Sequence, residues 1–519
     1  MATQTVTYEV LKIVPFEMRL HDVKLVKKCN DHARLTFTGI IPEEKEDYYV
    51  RMADEQTPIE LLYTDGNGKN HTLFHGMILR LHVRVESQVY WLEAEAISHT
   101  YAMDVKPENR SFQNRSLKVA DVMRTISELY PKAQTINAFA KDKPLGAFTL
   151  QYQETDWQFL KRLASHHHTV LVPITTHDSI RMYLGVPEGR DAGQLESTHY
   201  RVYKDLLAYK NEGGADGASG LSEQDYICYE VVLNQVLELG DEVTFKGHKL
   251  HVFEVQTEMT RGILTHKYTL CLKSASYKRK RSNKKLIGAS IQGKVMAVVR
   301  DEVKVKLDYD QNWSLEKSSP FPYSTMYASD DQTGWYCMPE KGDDIRLYFP
   351  SAHESEGIAL SSVRKMLPQE AMQGGSQQGT SQSGGSKSKK AAGTTTVVQQ
   401  EYLQPIVNYD KDLKEDLMAN PNTKFLLTPT GQKISFEEDR ITITGASGGA
   451  TITLTNDGTI ILNSNNKIQL QANKQIEMVA ETILMVSNQI EMSTLTGDGA
   501  ITLDQSQITL KGVEILMKK

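Results

Sequence analysis

A mainly β protein of several units, ending in a repetitive rod, is what this sequence predicts, and three observations carry the prediction. Alternating apolar and polar runs dominate the first 365 positions, the period-two signature of half-buried strands. Within them, two stretches, near 116–130 and 155–164, carry helical periodicity, and a short charged segment at 409–419 is a further helical candidate. The last hundred residues repeat one short phrase: T-I-T-L at 451–454, T-I-I-L at 459–462, K-I-Q-L at 467–470, Q-I-E-M at 475–478, T-I-L-M at 482–485, Q-I-E-M at 489–492, A-I-T-L at 500–503 and Q-I-T-L at 507–510. The leading Ile recurs every seven or eight residues, with one gap of eleven, and Leu or Met follows two positions later. That spacing puts both side chains on one face of a strand, with Asn, Asp, Gln, Ser and Gly as corners.

The expected core of the rod is Ile452, Leu454, Ile460, Leu462, Ile468, Leu470, Ile476, Met478, Ile483, Met485, Ile490, Met492, Ile501, Leu503, Ile508 and Leu510. Two core side chains per unit are too few for one chain to bury, so units must stack and chains must share the column. Three chains wound together would enclose it and leave no open strand edge. The expected fold of 424–519 is therefore a trimeric β-helix, or prism.

Composition narrows the rest. A chain of 519 residues exceeds what one hydrophobic core holds. The formal net charge of −6 gives no overall basic field for nucleic acid or membrane. The N-terminus is polar, without the apolar stretch of a signal peptide, and no run of 18 apolar residues occurs. Cys29, Cys228, Cys271 and Cys337 lie far apart with no C-x-x-C spacing, which reads as four reduced structural thiols of a protein folded in the cytosol.

The elements follow in order. Residues 5–105 alternate as strands, with Val23, Leu25, Leu35 and Phe37 on the core face. Asp65-Gly66-Asn67-Gly68 is a hairpin turn, and two strands between Thr72 and Ile97 turn around Glu86-Ser87-Gln88. A helix then runs from an N-cap at Ser116 along Val119, Val122, Met123, Ile126 and Leu129 to Pro131. A second opens with the capping box T-D-W-Q, Thr155 as N-cap, and buries Trp157, Leu160, Leu163 and Ala164. Strands return over 198–275, with 243–245 turning at Lys246-Gly247 into 250–255, and 264–273 closing the unit. The basic run Lys278, Arg279, Lys280, Arg281, Lys284, Lys285 lacks interleaved aromatics and reads as a solvated linker. Five strands at 291–299, 303–309, 334–339, 344–349 and 357–363 suit a small OB-like barrel. Residues 373–395 are a Gly/Ser/Gln linker, too polar to pack.

Four phrases in this order resemble those of a known family, the VgrG-type spike of contractile injection systems and its phage counterpart, the tail hub fused to a cell-puncturing spike. E-T-D-W-Q-F-L-K-R-L-A at 154–164 is similar to the family's hub helix. R-S-F-Q at 110–113 follows I-S-H-T-Y-A-M-D at 97–104, and G-D-E-V at 240–243 with Lys246-Gly247 resembles the second hub barrel. G-W-Y-C-M-P-E-K-G-D-D-I at 334–345 resembles the spike OB-fold signature. The resemblance implies two hub-type β-barrels with inserted helices over 1–285, an OB-fold over 286–368, a linker with a short charged segment over 369–423, and the spike over 424–519. It implies a homotrimer that joins an inner tube protein and baseplate components to a PAAR-like tip protein with effector cargo. Such a particle, assembled in the bacterial cytoplasm, pierces the target envelope on sheath contraction. A trimeric tail fibre or adhesin is the rival class, and a spike carrying a cell-wall-degrading activity is a second.

No cofactor, metal or catalytic site is expected. Gly445-Ala446-Ser447-Gly448-Gly449 matches G-x-S-x-G, but strands flank it on both sides where a nucleophile elbow needs a following helix. His166, His167 and His168 are adjacent and diverge, as at a solvated helix end. Asp308-x-Asp310-x-Asn312 begins like a calcium loop but has Trp313 where the loop's Gly belongs and Ser319 at its closing Glu, so it reads as a polar loop. The C-terminal Ile515, Leu516 and Met517, with no terminal histidine, are the expected docking layer for the tip protein.

Overall fold

A computed structural model describes residues 6–54, 57–138, 143–188, 190–214, 220–310, 313–328, 333–360, 418, 420–495, 498–504 and 507–514. Its largest feature is a twelve-stranded sheet built from two β units. The first contains Leu11–Val14, Pro58–Thr64, Asn70–Glu86, Val89–Ser98, Arg34–Ile41 and Arg19–Lys28, in that spatial order. The second continues with His248–Thr260, Ile263–Cys271, Ile227–Leu233 and Tyr200–Lys204, while Glu242–Phe245 pairs with His248–Thr260 and with Asp191–Gln194. The units meet where Lys28 to Lys24 pair with Glu254 to Glu258. Each has its own core: Val23, Leu25, Leu35 and Phe37 pack with Phe74 in the first, and Val231, Val243, Phe245 and Tyr268 pack in the second. The hairpin turns fall where the sequence places them. Ser87 and Gln88 both take positive φ, as do Lys246 and Gly247, the geometry that matches strand twist.

Between the β units lie the helices Val119–Ser127 and Asp156–His166, which share a core with Leu171, Met182 and Leu184. In the first, Val119, Val122, Met123 and Ile126 are buried as expected. Two details differ. The N-cap is Lys118 rather than Ser116, because Asn114 already accepts the Ser116 amide and turns the chain ahead of the helix. Leu129 lies beyond the last turn and is exposed. The second helix starts at Thr155, whose hydroxyl oxygen accepts the Gln158 amide at 3.1 Å. Trp157, Leu160, Leu163 and Ala164 are buried, with Phe159 and Arg162 beside them.

Cys228 and Cys271 correct the expectation of four free thiols. They sit opposite each other on adjacent antiparallel strands, with Cα atoms 4.6 Å apart, and form a disulfide. Sheet pairing brings together residues 43 apart, which spacing along the sequence does not reveal. Cys29 and Cys337 are free.

Residues 290–360 form a five-stranded antiparallel sheet ordered Pro320–Pro322, Glu302–Leu307, Ser290–Val299, Asp344–Tyr348, Ile358–Leu360. A parallel bridge between Tyr323 and Ala359 joins its two edges. Here the expected strands are corrected twice. Pro320–Pro322 is a member, and Gly334–Tyr336 is not: it pairs instead with Lys424–Leu427. Phe425 returns to the core of this unit, stacked on Tyr336 at 5.0 Å. Strand pairing thus runs across the expected boundary between barrel and rod. The linker segment 373–395 lies outside the described residues.

The repeats pair as antiparallel meanders in the single chain, not as a coil. Lys424–Leu427, Lys433–Phe436, Arg440–Thr444, Ala450–Thr455 and Ile460–Ser464 form one sheet with Gly334–Tyr336. Gln489–Ser493, Ala500–Asp504 and Ile508–Lys511 form another, and 467–488 contain no strand.

Candidate functional site: the hub joint and the exposed apolar face

Two regions concentrate what composition cannot explain. The first is the joint between the helical layer and the barrel at 290–360. Phe148 and Leu150 enter the barrel core, and Phe148 meets Phe321 edge-on at 5.1 Å. Beside them Arg162 is buried between two carboxylates. Its guanidinium donates to Glu154 through Nε and Nη2, both at 2.8 Å, and through Nη1 to Glu354 of the barrel at 2.8 Å. Arg162 Nη2 also donates to the Leu150 carbonyl at 2.8 Å, while Glu354 accepts the Leu150 amide at 3.1 Å. Burial pushes the Glu154 carboxyl up even though Arg162 pulls it down. An isolated buried charge here would be costly, and the fork of Arg162 satisfies both acids.

A second cluster lies alongside. Asp156, in the first turn of the helix, accepts Arg110, Gln151 at 2.8 Å and the Tyr130 hydroxyl at 2.8 Å. Asp310 of the barrel accepts Ser111, Gln113 at 2.6 Å and the Leu307 amide at 2.8 Å. Burial raises its pKa to about 6 against those hydrogen bonds. The expectation of a polar loop at Asp308–Asn312 is corrected in this respect: Asp310 is a structural acceptor inside the joint. Above it a cavity of about 310 Å³ is lined by Phe112, Tyr309 and Trp313.

The histidines and the basic run are also corrected together. His166 Nε2 donates to the Arg281 carbonyl at 2.9 Å, and His168 Nδ1 to the Lys278 carbonyl at 3.0 Å. The His168 ring stacks on Tyr277 at 4.5 Å. The basic segment is therefore strapped by its backbone to the helix end, because each imidazole finds a carbonyl there, while Arg279, Lys280, Lys284 and Lys285 remain exposed. No group of three His, Cys, Asp or Glu side chains among the described residues is arranged to hold a metal. His75 Nδ1 and His99 Nε2 meet at 2.8 Å, a pair without a third ligand among the described residues. Ala446–Gly448 forms a turn between the strands Arg440–Thr444 and Ala450–Thr455, so no helix follows Ser447.

The second region is the apolar face of the repeats. Ile452 lies opposite Leu462, and Leu454 opposite Ile460. Ile490 lies opposite Leu503, and Met492 opposite Ile501. Ile501 faces Leu510 and Leu503 faces Ile508 on the other side. Ile490 and Leu503 are half-buried, and the rest of these are exposed. Ile468, Leu470, Ile476, Met478, Ile483 and Met485 are exposed in the strand-free stretch. Ile515, Leu516 and Met517 lie outside the described residues. The sequence reading missed Arg162 with its two acids, the strand Pro320–Pro322 and the pairing of Gly334–Tyr336 with Lys424–Leu427. A signal was present for Arg162, which sits with Glu154 in the hub-helix phrase at 154–164.

With this geometry in view, comparison with known proteins adds one specific result. Residues 55–168 match the family model of the phage tail baseplate hub (GPD); they span the strands Pro58–Thr64, Asn70–Glu86 and Val89–Ser98 of the first β unit and both helices. No curated protein sequence matches the chain. Among solved structures, similarity is found to the E. coli c3393 protein, a type VI secretion component described as structurally similar to T4 bacteriophage tail proteins gp27 and gp5. It has 14% identity and a TM-score of 0.47, and covers 68% of this chain and 99% of that one. The half-lidded Francisella PdpA–VgrG complex has 9% identity and a TM-score of 0.45, covering 89% and 88%. A tail protein of Neisseria meningitidis has 12% identity and a TM-score of 0.39, covering 53% and 99%. These scores lie below 0.5, so the weight rests on the family match. Over residues 55–168, which hold the helical layer with its capped second helix, this chain is similar to the phage tail baseplate hub.

Proposed function

We propose that the chain is the baseplate hub and membrane-puncturing spike of a contractile, phage-tail-like injection system, and that it works as a homotrimer without catalysis. The observation that carries this reading is the apolar face of the repeats. One chain leaves Ile452, Leu454, Ile460, Leu462 and their counterparts in water, which a soluble monomer does not sustain over so long a row. Three copies would bury the column, pair the open strand edges and make a stiff rod.

The other parts fit the same reading. The hub match over 55–168 supports a ring that receives the inner tube protein and baseplate components. The strand order at 290–360, with its parallel edge-closing bridge, supports the reading of an OB-type barrel, and the joint at Arg162 would pass axial load from hub to rod. Ile515, Leu516 and Met517 would dock a PAAR-like tip protein and its effector cargo. Assembly in the bacterial cytoplasm and piercing of a target envelope on sheath contraction complete the proposal. Sedimentation of the full chain tests it: a trimer is expected across the micromolar range, and a stable folded monomer would refute the reading.

A further inference from the structure

The exposed apolar row does not start with the repeats. It starts at Trp335, on the strand whose Tyr336 packs into the barrel core. Trp335 lies opposite Leu426, Leu426 opposite Ile434, Ile434 opposite Ile443, Ile443 opposite Ile452, and Ile452 opposite Leu462. Residues directly opposite in a sheet share a face, so these six side chains form one unbroken row across six strands. All are between 37% and 47% exposed. The same strand is locked on its other side. Tyr336 is buried against Phe425, and its hydroxyl donates to the Arg300 carbonyl at 2.8 Å. Gly334 has φ +133°, and a Cβ there would collide with the Tyr327 carbonyl, while the Trp335 amide donates to that carbonyl at 2.8 Å. The strand cannot rotate, so Trp335 stays on the outward face.

We infer that Trp335 is an interchain anchor: the copies of this chain that cover the rod's apolar row also cover Trp335, so barrel and rod associate through one continuous interface. The inference rests on the self-association reading above. A further copy is the occupant that fits, because the row repeats similar apolar side chains at the strand spacing of about 4.8 Å. A surface with the same rung period matches it along its whole length, as a copy does. Trp335 is continuous with that row and ends it, and a large aromatic at such a place is the residue type that dominates interface energy.

The test places the photo-crosslinker p-benzoylphenylalanine at position 335 or 452 of the full chain. Interchain adducts are expected at both. Adducts at 452 with none at 335 would overturn the inference and leave self-association standing; none at either position would bring down both. Independently, Trp335→Ala should speed subunit exchange of the assembled protein about tenfold or more, the loss typical of a buried aromatic anchor, while Trp335→Phe should stay close to the parent. Equal exchange rates for Trp335→Ala and the parent would overturn the inference.

Discussion

The hub and the rod use the same apolar residue types to opposite ends. In the hub, Val23, Leu25, Leu35 and Phe37 alternate with polar neighbours and disappear into a core that the chain closes on itself. In the rod, Ile452, Leu454, Ile460 and Leu462 alternate just as regularly and stay in water. The difference lies in what each sheet has to pack against. The hub sheet carries a second β unit and a helical layer, whereas the rod's apolar face has no second layer over it among the described residues. Periodicity therefore fixes which face is apolar, and the tertiary partner decides whether that face is a core or an interface.

The sharpest way to break the comparison is on the rod. Ile452→Asp would place a charge from every chain into one shared column, each costing several kcal/mol. Self-association should be lost in sedimentation, while the hub's thermal transition should remain where it is. An unchanged trimer would place Ile452 outside the interface.

The hub side is broken most severely at Arg162. Arg162→Met strands Glu154 and Glu354 in the joint, with an expected loss of about 3–5 kcal/mol in thermal or denaturant unfolding. Adding Glu154→Gln and Glu354→Gln should recover much of it, since the penalty is that of unpaired charge. If the triple variant is as unstable as the single one, Arg162 acts through packing alone.

A smaller effect sharpens the same joint. Asp310 is raised in the folded protein to about 6, above its ordinary value near 3.9. The folded state therefore holds its proton more tightly than the unfolded state between these values. Stability from this group rises as pH falls from about 6 to about 4, by about 1–2 kcal/mol after allowing for solvent screening. The stability gap between the parent and Asp310→Asn should widen in the parent's favour as pH is lowered from 7 to 5. A gap independent of pH would remove Asp310 from this role.

The smallest effect belongs to the helix cap. Thr155→Ala should cost about 1 kcal/mol, because it removes the oxygen that accepts the Gln158 amide. Thr155→Ser should retain most of the stability, and an equal loss in both would point to the methyl group instead.

What was legible in the sequence follows the range of each interaction. Thr155 as a cap, the turns at Ser87-Gln88 and Lys246-Gly247, and the i, i+2 face of the repeats are all settled within a few residues. The contacts that escaped are long-range: Cys228 with Cys271, 43 residues apart, Arg162 with Glu354, 192 apart, and Gly334–Tyr336 with Lys424–Leu427. Asp310 looked like part of a polar loop because its donors, Ser111 and Gln113, lie nearly 200 residues earlier. Local rules name the residue; only the assembled sheet names its partner.

The pairing of Gly334–Tyr336 with Lys424–Leu427 also sets an order in time. The rod's first strand needs as its template a strand from which it is separated by nearly ninety residues of chain. Closing so long a loop is slow relative to forming the barrel's neighbouring strands, though each doubling of length adds only about 0.6 kcal/mol. The shorter loops of the barrel favour its folding first, so that its edge is available to the first strand of the rod. A chain made in this sequence keeps its stickiest face unfinished until the compact part that carries it already exists.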